Sequence, residues 1–288
     1  MVGVILAGGY GTRLYPLTCS INKHLLPIFD KPMIYYSLST LMIMGIKKIC
    51  IVCNPDDIKN FSKVLGDGNK FGIEIYYKIQ TKPSGIPDGL LAAKDFVKDS
   101  NVTLILGDNI IYGSGLTNLV DCSNFSGNGA QIYSYKVKNP CDYGVIVENK
   151  DGSIAELVEK PKDNISNNAV IGLYHFDNGI FEICESLKPS SRGEVEIVDV
   201  LNIYLEQGKL HNKLINRGFA WLDTGTIELI NKASVYIEAV QSRQGHLICS
   251  PEEIAYRKNY INEKQFLSLI NTYPDGNYKN SLREVISK

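Results

Sequence analysis

No charge of one sign dominates this chain: 30 basic and 31 acidic residues leave a formal net charge of −1 over 288 residues. That balance removes the electrostatic footprint expected of a nucleic-acid binder or of a protein held on an anionic membrane, so any phosphate must be gripped locally. No apolar run approaches the roughly 20 residues that a membrane helix requires. Met1-Val2-Gly3-Val4 leads into a strand without a charged leader, which makes the cytoplasm the expected location. The seven cysteines are odd in number and scattered, at Cys19, Cys50, Cys53, Cys122, Cys141, Cys184 and Cys249. Cys50 and Cys53 form a C-x-x-C with no second pair to complete a zinc site, so the thiols are expected to be buried and reduced. Four histidines, His24, His175, His211 and His246, are too dispersed to suggest a metal cluster.

What is present is 44% hydrophobic residues, enough for one large core or two modest ones. The first half alternates strand-like and helix-like segments. "VGVIL", "KKICIVC", "IEIYYKIQ" and "VTLIL" read as strands; "KPMIYYSLSTLMIMG" reads as a helix with Pro32 in its first turn and Gly45 as its stop, and "PDGLLAAKDFVKD" as another. This alternation predicts an α/β protein with a Rossmann-like, mainly parallel sheet and ligands at the C-terminal strand edges. After Asn109, "AQIYSYKV", "YGVIVENKDGSIAELVEK" with its Lys-Asp-Gly turn, and "NAVIGLYHF" predict antiparallel strands laid over that core. A helix in "EIVDVLNIYLEQG", a strand near "NKLINRG" and a long helix after Thr226 follow. A helical tail starts with the "SPEE" signal at 250–253.

The first strand runs into "LAGGYGTRLYPLT", residues 6–18. Strand, glycine loop and helical turn in sequence can wrap backbone N–H groups around an anion. A dinucleotide fingerprint would need a third glycine at the position of Leu14. A P-loop would need Gly-Lys-Ser/Thr where Arg13-Leu14-Tyr15 or Leu14-Tyr15-Pro16 stands. Both fail. What remains is a glycine loop with its own cation, Arg13, and a second, Lys23, suited to gripping a triphosphate at two places. On spacing alone, a glycine-rich turn with solvated basic residues stays open as the alternative.

Nine blocks together, "LAGGYGTRLYPLT", "NKHLLPIFDKPMIYYSLSTLM", "LGDNI", "YGVIV", "VEKP", "AVIGLYHFD", "SSRGEVEIVDV", "FAWLDTGT" and "CSPEEIAYR", closely resemble the bacterial glucose-1-phosphate thymidylyltransferases, in that family's order and over nearly the whole chain. The resemblance implies the nucleotide-diphospho-sugar transferase fold, with a core over 1–242 and a C-terminal helical segment over 243–288. Within the core, a nucleotide-binding part runs to about residue 110 and an antiparallel sugar-binding part spans about 111–225. It implies Mg²⁺-dependent nucleotidyl transfer from dTTP to glucose 1-phosphate, giving dTDP-glucose and pyrophosphate, as a first step toward deoxysugars such as rhamnose for surface polysaccharide. Attacker and target are both anions, so catalysis should consist of alignment and charge neutralisation.

By the same resemblance, Arg13, Lys23, Asp108, Lys160 and Asp223 carry catalysis. Leu6, Gly8, Gly9, Gly11, Thr12 and Arg13, with Gln80, Gly85 and Asp108, bind the nucleotide. Tyr143, Gly144, Glu159, Lys160, Val170, Gly172 and Arg192 bind the sugar phosphate; Glu194 is expected near the sugar or in a structural ion pair. Asp108 follows an apolar strand at its C-terminal end, and with Asp223 it supplies the oxygen ligands Mg²⁺ prefers. Gly144 and Gly172 lack a Cβ, which permits close approach of backbone to sugar. The Gln80 amide donates and accepts at once, which suits the imide edge of thymine or uracil. The tail is implied to help build a homotetramer and a second nucleotide site for feedback inhibition.

Three places depart from the family. Where it reads Gly-Leu-Ala-Gln-Ala, this chain reads Gly85-Ile86-Pro87-Asp88-Gly89, so Asp88 puts an acceptor-only carboxylate near the base or sugar pocket. His24 replaces a common Gln, and Ile171 a common Thr. Use of UTP, CTP or another sugar phosphate therefore stays open, as does a catalytically silent nucleotide-sugar sensor, although all five catalytic positions are occupied. Leu14 and Lys23 argue against a dinucleotide-dependent dehydrogenase.

Overall fold

The computed structural model describes residues 1–120, 125 and 127–287, and Cys122 lies outside the described residues. β1 (Val2–Ala7) opens the chain. Single 3₁₀ turns at Thr12–Leu14 and Lys23–Leu25 and the two-residue strands β2 (Pro27–Ile28) and β3 (Lys31–Pro32) lead to α1 (Ile34–Ile43). Pro32 thus precedes the helix and is not in its first turn. α1 is buried at every position but Ile43, and the chain reverses where Gly45 takes a φ of +86°. Next come β4 (Lys48–Cys53), α2 (Ile58–Leu65), β5 (Glu74–Ile79), α3 (Ile86–Leu91), α4 (Lys94–Val97), β6 (Val102–Leu106), β7 (Asn109–Gly113) and α5 (Leu116–Leu119). The second half holds β8 (Ala130–Lys136), β9 (Gly144–Glu148), β10 (Ile154–Glu159), β11 (Asn168–Phe176), α6 (Ile180–Ser186), α7 (Ile197–Glu206), β12 (Leu210–Ile215) and β13 (Phe219–Asp223). Four helices end the chain: α8 (Ile227–Gln244), α9 (Pro251–Arg257), α10 (Glu263–Asn271) and α11 (Asn277–Ser287).

The main sheet has nine strands in the order β10-β9-β11-β6-β1-β4-β5, with β8 pairing β11 and β12 pairing β8. β6, β1, β4 and β5 are mutually parallel and in level register: Leu6 lies opposite Leu106 and Val52. Their following loops, 8–11, 80–85 and 107–108, therefore emerge along one edge, where an open α/β sheet places ligands. The antiparallel strands do not lie over this core. β11 runs antiparallel to β6, β8 and β9 and extends the same sheet, and its nine residues are all buried, which explains an apolar run with no alternation.

Cys50 and Cys53 sit three apart on β4, which sends them to opposite faces and into different core clusters, so this C-x-x-C cannot converge on a metal. Cys184 and Cys249 are buried as expected, whereas Cys19 and Cys141 are exposed. α9 packs on α1, α10 and α11 pack on α9, and together they complete one cluster, in which Ala255, Phe266, Ile270 and Leu282 join Ile34, Leu38 and Phe71. Ser250 caps α9 through the Glu253 N–H. No helix among the described residues is long and apolar enough to cross a membrane.

Candidate active site

Two side chains hold the loop after β1. Asn22 Nδ2 donates to the Ala7 carbonyl at 3.0 Å and to Asp57 Oδ2 at 2.7 Å, while its Oδ1 accepts from the His24 N–H at 2.9 Å. The Thr18 hydroxyl donates to the Gly11 carbonyl at 2.9 Å. Gly11 has a φ of +61°, and a Cβ there would stand 2.9 Å from the Thr18 methyl, so only glycine fits this corner. The turn that follows carries Arg13, which is exposed and forms no ion pair among the described residues. The next turn carries Lys23.

A two-stranded ribbon missed in the sequence supplies the opposing wall. β7 pairs antiparallel with β13, which sets Asp223 directly across from Asn109 and beside Asp108. The Thr224 hydroxyl clamps the junction by donating to the Asp108 carbonyl at 2.7 Å. Asn109 then does three things at once. Its Nδ2 donates to Asp108 Oδ1 at 3.0 Å, and its Oδ1 accepts from the Gly172 N–H at 3.0 Å and from Trp221 Nε1 at 2.7 Å. Its position right after Asp108 in "LGDNI" was the only signal in the sequence.

Two adjoining cavities share Arg13, Ile86, Leu106 and Asp108. The first is walled also by Leu6, Gly8, Gly9, Lys23, His24, Gln80, Pro83, Gly85 and Glu194. The second is walled by Tyr143, Gly144, Glu159, Lys160, Val170, Gly172, Trp221 and Asp223, with Asn109, Asp142, Tyr174, Ile197 and Val198. The expected nucleotide and sugar sets thus separate into neighbouring chambers. Three expected residues stand outside both walls. Gly11 is turned into its own corner, and Thr12 is exposed on the 3₁₀ turn. Arg192 is drawn aside by three glutamates: Nη1 lies 3.6 Å from Glu159, Nη2 3.2 Å from Glu194 and Nε 3.2 Å from Glu196. Gly144 and Gly172 line the second chamber, but the space of their missing Cβ is filled from within, by Val198 and Glu159 at one and by Leu106 and Asn109 at the other.

Lys23 Nζ is ion-paired with Asp108 Oδ2. Burial alone would raise the Asp108 pKa, but the Lys23 charge and the hydrogen bonds from Lys23 and Asn109 hold it well below the usual carboxylate range. Asp223 goes the other way, pushed up to about 6 by burial and then by the charge of Asp108, against the pull of Lys23 and Arg13. Its Oδ1 accepts from the Gly225 N–H at 3.1 Å, and its Oδ2 from the Tyr143 hydroxyl at 3.4 Å. Asp108 and Asp223 bring two carboxylates to one wall, the charge of the first raising the charging cost of the second, and carboxylate oxygens are the ligands a hard divalent cation prefers. Among the described residues no third His, Cys, Asp or Glu joins them.

On the sugar side, Lys160 takes a φ of +41°, a conformation rare for a lysine and held by its N–H bond to the Tyr143 carbonyl at 3.1 Å. Its Nζ lies 3.7 Å from Glu159, whose pKa is raised by burial in spite of the Lys160 and Arg192 charges. His24 is buried and neutral, its pKa lowered to about 3 by burial and by the Lys23 charge. Ile171 is wholly buried in the main core, so its departure from the family is a packing change away from both chambers.

A model of the nucleotidyl transferase family matches residues 2–240. The glucose-1-phosphate thymidylyltransferase of Neisseria meningitidis serogroup A is 42% identical over 288 residues, covering 100% of both chains. That of Mycobacterium tuberculosis H37Rv is 43% identical over 289 residues, again covering 100% of both. Among solved structures, a candidate glucose-1-phosphate thymidylyltransferase from Bacillus anthracis, in complex with a sucrose, gives a TM-score of 0.75 at 37% identity, over 82% of this chain and 94% of that one. A UDP-glucose pyrophosphorylase complexed with UDP-glucose gives 0.72 at 26% identity, over 85% and 100%.

Proposed function

The chain belongs to the nucleotidyl transferase family, and from that premise we propose that it transfers a thymidylyl group from dTTP to glucose 1-phosphate, forming dTDP-glucose and releasing pyrophosphate. The observation that carries this reading is the meeting of two chambers at Arg13 and Asp108, one lined by the glycine loop, the other by Glu159 and Lys160. The nucleotide lies in the first and the sugar phosphate in the second.

A phosphate oxygen of glucose 1-phosphate attacks the α-phosphorus of dTTP, the bond from that phosphorus to the bridging oxygen breaks, and its electron pair leaves on pyrophosphate. Both partners are anions, so the chain's main contribution is to bring them together against their repulsion. Lys160 holds the attacking phosphate, and Arg13 faces the leaving pyrophosphate. Lys23 is available to the phosphates, being already held at the nucleotide chamber by Asp108. Gln80 and the Gly85 backbone meet the base; Glu159 meets sugar hydroxyls. Asp108 and Asp223 would hold a divalent cation, Mg²⁺, which when bound neutralises phosphate charge as a Lewis acid.

This reading carries with it a cytoplasmic location, a homotetramer assembled with help from residues 243–288, and a place at the head of deoxysugar synthesis for surface polysaccharide. Purified protein given Mg²⁺, dTTP and glucose 1-phosphate should release pyrophosphate, and no release would overturn the reading. The same assay across a grid of nucleoside triphosphates and sugar 1-phosphates fixes the substrate pair, and mass in solution tests the tetramer.

A further inference from the structure

Asp88, a residue that departs from the family beside the base chamber, accepts a hydrogen bond from the Gln80 side chain. Gln80 is only 7% exposed, and its Nε2 donates to Asp88 Oδ2 at 2.7 Å and lies 3.4 Å from the Gly85 carbonyl oxygen. A carboxylate and a carbonyl only accept, so reversing this amide would set an oxygen against two others. The opposite end is thereby fixed as Oε1. It points between Gly8 and Gly89, where an added Cβ would stand 2.8 Å and 3.2 Å from it, and it has no hydrogen-bond partner among the described residues. Asp88 is itself anchored, because Gly85, the residue just before α3, takes a φ of +113° and is bridged to Val195 in a place no Cβ fits.

We infer that Asp88 is a positioning residue that fixes Gln80 as a hydrogen-bond acceptor toward the nucleotide base, so that the site takes a pyrimidine bearing an N3–H, thymine or uracil, and rejects cytosine. The inference rests on the nucleotidyl-transfer reading and adds what enforces base choice. Thymine and uracil offer Oε1 a donor. Cytosine offers a lone pair at N3, and meeting it with a donor would require the amide to turn and abandon Asp88. A buried acceptor facing an acceptor weakens binding by roughly 10- to 100-fold.

UTP and CTP differ only at N3 and C4, which makes them the clean probes. Calorimetric titration of the full-length protein should show UTP binding roughly 10- to 100-fold tighter than CTP. Asp88→Asn presents either a donor or an acceptor to Gln80 and frees the amide to turn, so the ratio should fall to within about threefold. A merely structural defect would spread to the whole enzyme. Here kcat with dTTP and the KM for glucose 1-phosphate should hold while only the nucleotide KM values move. Asp88→Ala, which removes the acceptor that holds the Gln80 amide, repeats the measurement if the first variant does not fold. Equal wild-type affinity for UTP and CTP, or an unchanged ratio in either folded variant, overturns the inference. Absence of pyrophosphate release from every triphosphate would instead overturn the reaction reading, because the affinity ratio needs no turnover.

Discussion

Arg13 and Lys23 are ten positions apart in one glycine-led stretch, yet they stand in different physical states. Lys23 is tied to Asp108, whose side chain is 14% exposed, whereas Arg13 is exposed and unpaired among the described residues. Arg13→Ala should therefore leave the melting curve nearly unchanged, as surface substitutions do, within about 0.5 kcal/mol. It should depress pyrophosphate release by about 100-fold or more, the scale of losing one group that stabilises developing charge. Lys23→Met should lose activity similarly and destabilise the fold as well, because it strands the Asp108 carboxylate next to Asp223. Thermal melts beside turnover measurements separate the two, and near-normal activity of Arg13→Ala would make the loop an ordinary turn. These residues were legible because strand, glycine and cation follow one another in sequence. The detention of Arg192 was legible only in part: Glu194 and Glu196 stand two and four residues on, whereas Glu159, the third partner, lies on a distant strand that nothing local marks.

At the scale of elements, the parallel half of the sheet could be read from its short apolar runs, but the β7–β13 ribbon could not. "FAWLD" is half-buried at every position, with neither the alternation of a one-faced strand nor the apolar run of a covered one. Its pairing partner lies far back in the chain, and that pairing is what carries Asp223 to Asp108. β11 then supports the ribbon from beneath. The Gly172 N–H holds Asn109, and a Cβ at 172 would come within 2.6 Å of Leu106 and 2.9 Å of Asn109. Gly172→Ala should cost about 1–3 kcal/mol, the usual cost of overpacking a filled core. It should also slow turnover, because displacing Asn109 releases its hold on Asp108 and Trp221. Urea unfolding with pyrophosphate release reads both effects, and a variant of wild-type stability would show that the strand can yield there.

Taken whole, the molecule is a sheet covered on both faces, and its C-terminal helices complete one of the two coverings. The tail's amphipathic pattern was visible in sequence; the surface it covers was not, because α1 gives no sign of which partner its apolar sides will meet. The same double covering traps His175 on β11. Its Nδ1 lies 2.8 Å from the Thr103 hydroxyl and its Nε2 2.9 Å from the Tyr133 hydroxyl. Thr103 donates onward to the Met1 sulfur, which leaves Nδ1 to donate to Thr103 and Nε2 to accept from Tyr133. Burial, reinforced by the Lys213 charge, lowers the His175 pKa from 6.5 to about 4. The unfolded chain therefore binds a proton that the folded one refuses, so the contribution of His175 is complete above 6.5 and is lost as pH falls toward 4. His175→Gln keeps a donor and an acceptor but no titration. The stability advantage of the wild type over this variant should shrink by about 1.4 kcal/mol per pH unit across that window. Comparing the two proteins at each pH cancels opposing groups such as Asp223, whose raised pKa acts in the contrary sense. Urea melts of both at pH 7, 6 and 5 measure the difference directly, and a gap that stays constant would mean His175 takes up its proton without leaving the fold.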